Sequence, residues 1–557
     1  MDDQLLEFAQ LGDGALSVKL SDDISEETND AVLDLCDRLD KIGLPGIIEI
    51  QPAYSSLAVH FDQGTISAAY IKKVVVSLCL NAEKCISSQR KPNVIEIPVR
   101  YGGDAGPDLA WASEYLNLPE EEIIKKHCSR LYRVYMIGFT PGFPYLGGMD
   151  ESISLPRLPE PRKRVPRGSV GIAGNQTGIY PWDTPGGWRI IGRTDCDLFS
   201  LDKDPPSLLK PGDYVRFVPA EHFFRHEDTT PADILNSSQV TGGTGSQTEP
   251  SGSDSKMNWA IDGLFVDNPG ILTLVVDRGR FGYRRFGVPT GGAADLRSYA
   301  FANALCGNNS NEACLEFTLR GPTLVAQTEL TVAVTGAPAP VRIDGQRVPS
   351  DTLLLLREGQ TLDVGEASAG LRGYIAVSGG IQVPIVLGSK STYLASGFGG
   401  YLGRQLKYGD TLQIGPAPSY RSILESQKNK QKITKPLDFR ILDAPCVFLH
   451  IHPGPESSKP ILSKLTSTTY EIRPDSDRMG ARLDGPRLLE GGADIISAPC
   501  VIGTIQISSD GRPMLLLCDS QTTGGYMRAA TLLTADLPIA SQLRPGNKVR
   551  FRLIPNP

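Results

Sequence analysis

The sequence predicts a mainly β protein with a small α/β domain at its N-terminus, and three observations carry that prediction. Its 557 residues include 58 glycines and 42 prolines spread along the whole length, as many short strands joined by tight turns require. Helix-like apolar spacing is confined to a few stretches near the N-terminus and one insert beyond residue 100. One block of strands and glycine turns recurs far apart in the chain, so one β architecture is reused. At roughly 100 to 200 residues per domain the length suits about three to five domains.

In chain order, Glu26 to Ile42 places Val32, Leu33, Leu35, Leu39 and Ile42 near helical spacing, and Gly43 with Pro45 ends the run. Gly46 to Pro52 and Ser56 to Phe61 read as paired strands, and Ser67 to Leu80 as a second helix. From Val94 the pattern is short strands, with one helical insert from Leu109 to Ser129 that follows Pro107-Asp108. Glu227 to Lys256 is Ser/Thr/Gly-rich and aperiodic, which is linker composition. A weaker boundary lies at Ser419 to Lys435, where a polar, basic run separates two apolar-patterned regions.

The repeat pairs Lys210-Pro-Gly-Asp-Tyr-Val-Arg-Phe-Val-Pro with Arg544-Pro-Gly-Asn-Lys-Val-Arg-Phe-Arg-Leu, and Lys407-Tyr-Gly-Asp-Thr-Leu-Gln-Ile-Gly-Pro is a looser third copy. Upstream, Thr184-Pro-Gly-Gly-Trp-Arg matches Thr522-Thr-Gly-Gly-Tyr-Met-Arg, and Val170-Gly-Ile-Ala-Gly-Asn-Gln matches Ile502-Gly-Thr-Ile-Gln. A closed barrel is the simplest form, since closure removes the exposed edges of an open sheet. The expected domains are 1–92 (α/β), 93–226 (barrel), 227–257 (linker), 258–418 (first barrel of the second half), 419–437 (linker) and 438–557 (second barrel of that half).

Composition narrows function. Against 56 Lys and Arg stand 63 Asp and Glu, a formal charge of −7 with the signs interspersed, so no general nucleic-acid binding is expected. No run of about 18 apolar residues occurs, the first residues carry acids where a secretory signal carries cations, and the ten cysteines form no CxxC. A cytoplasmic protein with reduced thiols and no membrane partner is expected. There is no Gly-x-Ser-x-Gly elbow and no HExxH, and the His222/His226 and His450/His452 pairs lack a third ligand, so no metal is expected. Gly388-Ser-Lys-Ser-Thr resembles the end of a phosphate loop without its glycine spacing.

Polar, glycine-framed turns remain. The cations Arg162, Lys163, Arg164 and Arg167 fit either a phosphate or carboxylate seat or a solvated turn. Gly138-Phe-Thr-Pro-Gly-Phe-Pro-Tyr-Leu-Gly-Gly fits either a rigid loop with its rings in the core or an apolar wall around a ligand. In the second half Arg278, Arg280, Lys390, Arg404 and Arg478 recur beside glycines, a pattern that turn chemistry alone does not require.

At these motifs the chain resembles two proteins joined end to end. Residues 1 to about 225 are similar to the B-type subunit of ATP-dependent 5-oxoprolinase, also described as allophanate hydrolase subunit 1 or a kinase-inhibitor protein. The similarity runs through Gln51-Pro-Ala-Tyr-Ser-Ser-Leu, Tyr101-Gly-Gly-Asp-Ala-Gly-Pro-Asp-Leu, the Gly138 loop and Gly168-Ser-Val-Gly-Ile-Ala-Gly-Asn-Gln. From about residue 268 the chain is similar to the C-type subunit, allophanate hydrolase subunit 2, through the cation-bearing turns and Gly373-Tyr-Ile-Ala-Val-Ser-Gly-Gly-Ile. The resemblance implies multiple cyclophilin-like β barrels, one in the first half and two in the second, and a module that also forms the carboxyltransferase region of urea carboxylase.

The resemblance implies an ATP-dependent hydrolase component that opens 5-oxoproline to glutamate with a separate A-type subunit and shares its ATP. Alternatives from the same resemblance are a carboxyltransferase acting on urea or a related amide, with carboxybiotin supplied in trans because no biotin attachment site is present, and a non-catalytic kinase-inhibitor-type protein. Lactam hydrolysis calls for cations and N–H donors in a dry pocket. The implied catalytic residues are Arg278, Arg280, Lys390, Arg478 and Gln521, with Asp295 and Asp519 orienting cations or acting as bases. Arg164, Gln176, Arg193, Ser389, Ser391 and Thr522 are the implied substrate or phosphate contacts. The chain departs from the family pattern at Ser520, where an arginine is usual, and at Glu456 and Ser497-Ala-Pro-Cys-Val-Ile-Gly. Oligomeric state is left open.

Overall fold

Residues 6–80, 93–220, 263–429, 437–491 and 494–554 are described in this computed structural model; the expected 227–257 linker and His222 and His226 lie outside them. The chain divides into two compact units: Met1–Phe224 with Arg280–Ala294 and Ala444–Pro557, and Arg225–Gly279 with Asp295–Asp443. No helix among the described residues is long and apolar enough to cross a membrane.

In the first unit, the N-terminal strands Glu7–Leu11, Ala15–Lys19, Ser56–Phe61 and Ile47–Pro52 lie side by side in that order, all antiparallel. Helices Glu26–Ile42 and Ala68–Leu80 supply Val32, Leu35, Leu39, Ile71 and Val75 to the sheet's core. The first helix has the ends its sequence dictates: Ser25 accepts from the Thr28 N–H, and Gly43 closes it at φ 60°, a conformation that costs glycine little.

Two seven-stranded closed barrels complete this unit, and they share one topology. In each, the strand after the Pro-Gly turn, Tyr214–Pro219 or Lys548–Leu553, pairs in parallel with the barrel's first strand, Val94–Tyr101 or Val447–Pro453. Each barrel also carries a separate two-stranded arm, Arg162–Val165 with Thr184–Gly186 and Asp494–Pro499 with Thr523–Tyr526. The duplicated text is thus duplicated structure. Each barrel also holds an acid against an arginine, from different strands: Asp108 receives Arg162 of the arm at 2.8 and 2.9 Å and the Ile190 N–H, and Glu456 receives Arg528 of the barrel strand through its Nε and its backbone N–H, both at 3.0 Å.

The second unit corrects the third copy. Thr411–Ile414 pairs antiparallel with Gly263–Asn268, not in parallel, and the strands from Gly263 to Ile414 form a seven-stranded and a five-stranded sheet rather than the expected barrel. The two sheets share one core, with Leu264, Leu324 and Leu412 from one and Val275, Phe317 and Val332 from the other. Two further expectations are corrected. The Leu109–Ser129 insert is two helices, Leu109–Leu116 and Glu120–Cys128, because Asn117 turns left-handed at φ 52° and Pro119 follows. The polar 419–437 connection carries a helix, Tyr420–Asn429.

Candidate functional site

In the first unit, the segment Arg280–Ala294 is held by three partners. The Gly282 and Arg284 N–H groups donate to Glu49 Oε2 at 2.9 and 3.2 Å, on the N-terminal sheet. Phe286 O accepts from the Gly142 N–H in the first barrel's aromatic loop, and the Gly291 N–H donates to Cys518 O of the last barrel. Gly287 is required there: a Cβ would sit 2.4 Å from Thr140 O, and its φ is +78°.

Arg284, only 2% exposed, centres a polar cluster. Its Nε donates to Gln51 Oε1 at 3.3 Å, its Nη1 to Thr290 Oγ1 at 3.3 Å and its Nη2 to Cys500 O. Gln51 Nε2 donates to Thr522 O at 2.5 Å. Gln521 Nε2 donates to Gln506 Oε1, and Gln506 Nε2 donates to the Cys500 sulfur, both at 3.2 Å. Three amides and one guanidinium therefore meet around the turn 519–523.

Titration within this cluster is governed by burial. His60 Nε2 lies 3.4 Å from Gln51 Oε1, and burial, aided by the Arg284 charge, keeps the imidazole neutral well below its ordinary range. Burial pushes the Cys500 thiol up to about 11, the direction of a buried structural thiol rather than of an activated one.

Beside it, Arg478 Nε and Nη2 grip the Asp519 carboxylate at 2.7 and 3.1 Å, with both side chains 6% exposed. Arg478 Nη2 also donates to Gly292 O at 2.7 Å. A Cβ at Gly291 would stand 3.5 Å from Asp519 Oδ1 and 4.0 Å from Arg280 Nη1, so Arg280, Arg478 and Asp519 enclose this glycine pair. Ser520 is 1% exposed, and its hydroxyl has no hydrogen-bond partner among the described residues. Ser520→Ala removes a desolvated hydroxyl and should stabilise the fold by about 1 kcal/mol; urea unfolding of the two proteins checks this, and a loss of stability would show that the hydroxyl is satisfied.

The sequence-nominated residues fall into three groups. Arg280, Arg478, Asp519, Gln521 and Thr522 come together in the first unit, with Asp519 orienting Arg478. Arg164, Arg193 and Gln176 lie elsewhere on the first barrel: Arg164 is exposed and paired with Asp183, Arg193 donates to Arg167 O, and Gln176 sits in a hairpin opposite Ala173. Arg162 and Arg167 are likewise paired with acids, Asp108 and Asp197, which favours the ion-paired turn over an anion seat.

The third group belongs to the second unit. Asp295 is a helix N-cap, accepting from the Arg297 and Ser298 N–H groups at 3.1 and 2.9 Å, rather than a base. Ser389 and Ser391 donate to Asp277, as does the Lys390 N–H at 2.6 Å, while Lys390 Nζ pairs with Glu312 at 3.2 Å. Arg278 is exposed. Glu49, Arg284, Gln506 and Cys500 escaped sequence reasoning. Only Arg284 carried a signal, as a cation in a glycine-framed turn.

Fold and site define a paired-barrel protein of the carboxyltransferase-domain type. The family model described as carboxyltransferase domain, subdomain C and D, matches residues 6–209, and that for subdomain A and B matches residues 286–553. The first half is 42% identical over 221 residues to the B-type subunit of 5-oxoprolinase from Bacillus subtilis (strain 168), covering 38% of this chain and 92% of that protein. The second is 36% identical over 290 residues to the C-type subunit of 5-oxoprolinase from Escherichia coli (strain K12), covering 52% of this chain and 90% of that protein. The crystal structure of TTHA0988 is 32% identical, with a TM-score of 0.79 over 97% of this chain and 99% of that one. The chain belongs to the family of the B-type and C-type subunits of 5-oxoprolinase and carries both in one polypeptide.

Proposed function

We propose that this chain is the fused B–C component of an ATP-dependent 5-oxoprolinase, which hydrolyses 5-oxoproline to glutamate only with a separate A-type subunit. The observation that carries the reading is the order and completeness of the two matches, each spanning nine-tenths or more of a 5-oxoprolinase component. The cluster's chemistry is compatible with it. A lactam carbonyl needs N–H donors where negative charge develops, and Gln51, Gln506, Gln521 and Arg284 gather such donors in a buried setting.

The Gly388–Thr392 stretch does not fit a nucleotide. The Ser389 and Ser391 hydroxyls and the Lys390 N–H already donate to the Asp277 carboxylate, whose charge would repel a phosphate, the Thr392 hydroxyl donates to Val275 O, and the lysine faces Glu312. In this reading the Gly388–Thr392 stretch is not the ATP seat, and ATP is shared with the A-type partner.

Purified together with its A-type partner, the chain should convert 5-oxoproline to glutamate with ATP consumption, and neither protein should do so alone. Failure of every combination would overturn the reading. The carboxyltransferase name of both matching models supports a second reading, carboxyl transfer to urea from carboxybiotin supplied in trans. Labelled carboxyl appearing on urea, with no lactam turnover, would replace the first reading by the second. Within the first, Gln521→Leu should lower kcat/KM by about a hundredfold, the scale of losing one such donor, as steady-state assays would show.

A further inference from the structure

Two stretches of the first half grip the turn 519–523 of the last barrel. Gln51, on the N-terminal sheet, donates through Nε2 to Thr522 O at 2.5 Å, and Phe139, in the first barrel's aromatic loop, donates its N–H to Thr523 Oγ1 at 3.1 Å. Gln51, Thr522 and Thr523 are all buried.

Both grips have a fixed sense. Arg284 Nε can only donate, so the Gln51 atom it meets at 3.3 Å is the amide oxygen, and the NH2 group faces Thr522 O. Thr522 O also accepts from the Cys500 N–H at 2.8 Å, so its two lone pairs are divided between its own barrel and the N-terminal sheet. At the second grip, a Cβ on Gly138 would fall 1.9 Å from Thr523 Oγ1, so only glycine lets the loop come this close. Phe139 follows at φ 65°, a left-handed conformation disfavoured for a bulky residue, with its N–H on Thr523. Such strain persists where the surroundings over-determine it, and it gathers at functional sites.

The gripped turn presents one side chain. Within 518–523 only Gln521 is half-exposed, and the residues on either side of it are buried. An amide nitrogen carries two N–H groups, of which Gln506 Oε1 takes one from Gln521. Gln51, by contrast, is buried with both ends of its amide engaged. We propose that Gln51, with the Phe139 N–H beside it, is a positioning residue that sets the place of Gln521, so that the first half contributes to lactam hydrolysis by aiming a donor carried on the second. A donor displaced from the developing charge loses much of its effect, which is why the holding groups matter to rate. The inference rests on the 5-oxoprolinase reading for the substrate and adds the groups that keep its donor in register.

Gln51→Met keeps the length of the side chain without its N–H, and Thr523→Val keeps the shape without the hydroxyl; melting curves establish that each folds. Should Gln51→Met not fold, because it also strips Arg284 of an acceptor, Thr523→Val carries the test. In the full chain with its A-type partner, each should lower kcat for 5-oxoproline by about ten- to a hundredfold, the scale for a misplaced reacting group, with KM little changed. In a Gln521→Leu background the same substitutions should cost nothing further, because they act through that amide, whereas a folding defect would multiply in either background. Hydrogen exchange of the full chain alone should release the amides of 519–523, where the Asp519 and Ser520 N–H groups are bonded, while Lys548–Leu553 stays protected. A raised KM at unchanged kcat, losses that multiply with Gln521→Leu, or unchanged exchange in the folded variants would overturn the proposal. If parent and partner turn over no lactam while exchange rises at 519–523, the 5-oxoprolinase reading falls and the grip stands. Turnover by the parent, matched by both variants, would do the reverse.

Discussion

Arg284→Met is expected to lower the free energy of unfolding by about 3 to 5 kcal/mol, the range for stripping one partner from a buried ion pair. Glu49 and Arg284 lie 3.8 Å apart with side chains 5% and 2% exposed. Burial raises the Glu49 carboxyl above its ordinary 4.5 against the pull of the arginine, and burial lowers Arg284. Desolvation thus outweighs attraction on both sides, so the pair is costly to break rather than a net source of stability. Glu49→Leu combined with Arg284→Met should recover part of the loss, because it removes the stranded carboxylate.

The sign of the pH dependence follows. A carboxyl whose folded pKa exceeds its unfolded value binds more protons when folded, so its contribution is complete below about 4.5 and is lost as pH rises through the folded value. Removing Arg284 raises that folded value further. The deficit of Arg284→Met should therefore be smallest near pH 4.5 and grow toward neutrality. Urea unfolding at several pH values measures it, and a deficit below about 1 kcal/mol at neutral pH would show that Glu49 finds another partner.

Why the sequence revealed barrels but not this pair is a matter of range. The helix Glu26–Ile42 and the strand Ser56–Phe61 were readable because period and caps are local properties. The barrel topology was readable because its text occurs twice, and Tyr214–Pro219 and Lys548–Leu553 take the same place in both barrels. Glu49, by contrast, sits on a strand where alternation alone reads it as an outward charge, and its buried partner is 235 residues away. The third copy misled for the same reason: Lys407 to Pro416 shares the Pro-Gly-like turn and strand, but pairing direction is set by which strand it meets. Cations beside glycines pointed to real structure, although for Lys390 that structure is an acid's cradle.

Asp277→Ala is expected to cost about 3 kcal/mol or more, whereas Lys390→Met should cost less than about 1 kcal/mol. Asp277 is 1% exposed and receives four donors: the hydroxyls of Ser389 and Ser391, and the N–H groups of Lys390 and Gly279 at 2.6 and 2.9 Å. Its own N–H donates to Ser391 Oγ at 2.8 Å, so the turn after Val276 and the turn at Gly388 are tied in both directions. Alanine would leave two buried hydroxyls and two N–H groups without an acceptor, and each desolvated donor costs about 1 to 3 kcal/mol unless the turn opens to water. Lys390 Nζ, in contrast, makes a single ion pair among the described residues, with Glu312 at 3.2 Å, and the pair's partial access to water weakens the attraction. Thermal unfolding and amide exchange at residues 386–392 separate the outcomes: Asp277→Ala should lower the melting temperature and unprotect that turn, and Lys390→Met should do neither. If Lys390→Met instead abolished lactam turnover with its turn still protected, the lysine would be acting on a ligand, and the carboxylate beneath it would be the support that aims the loop.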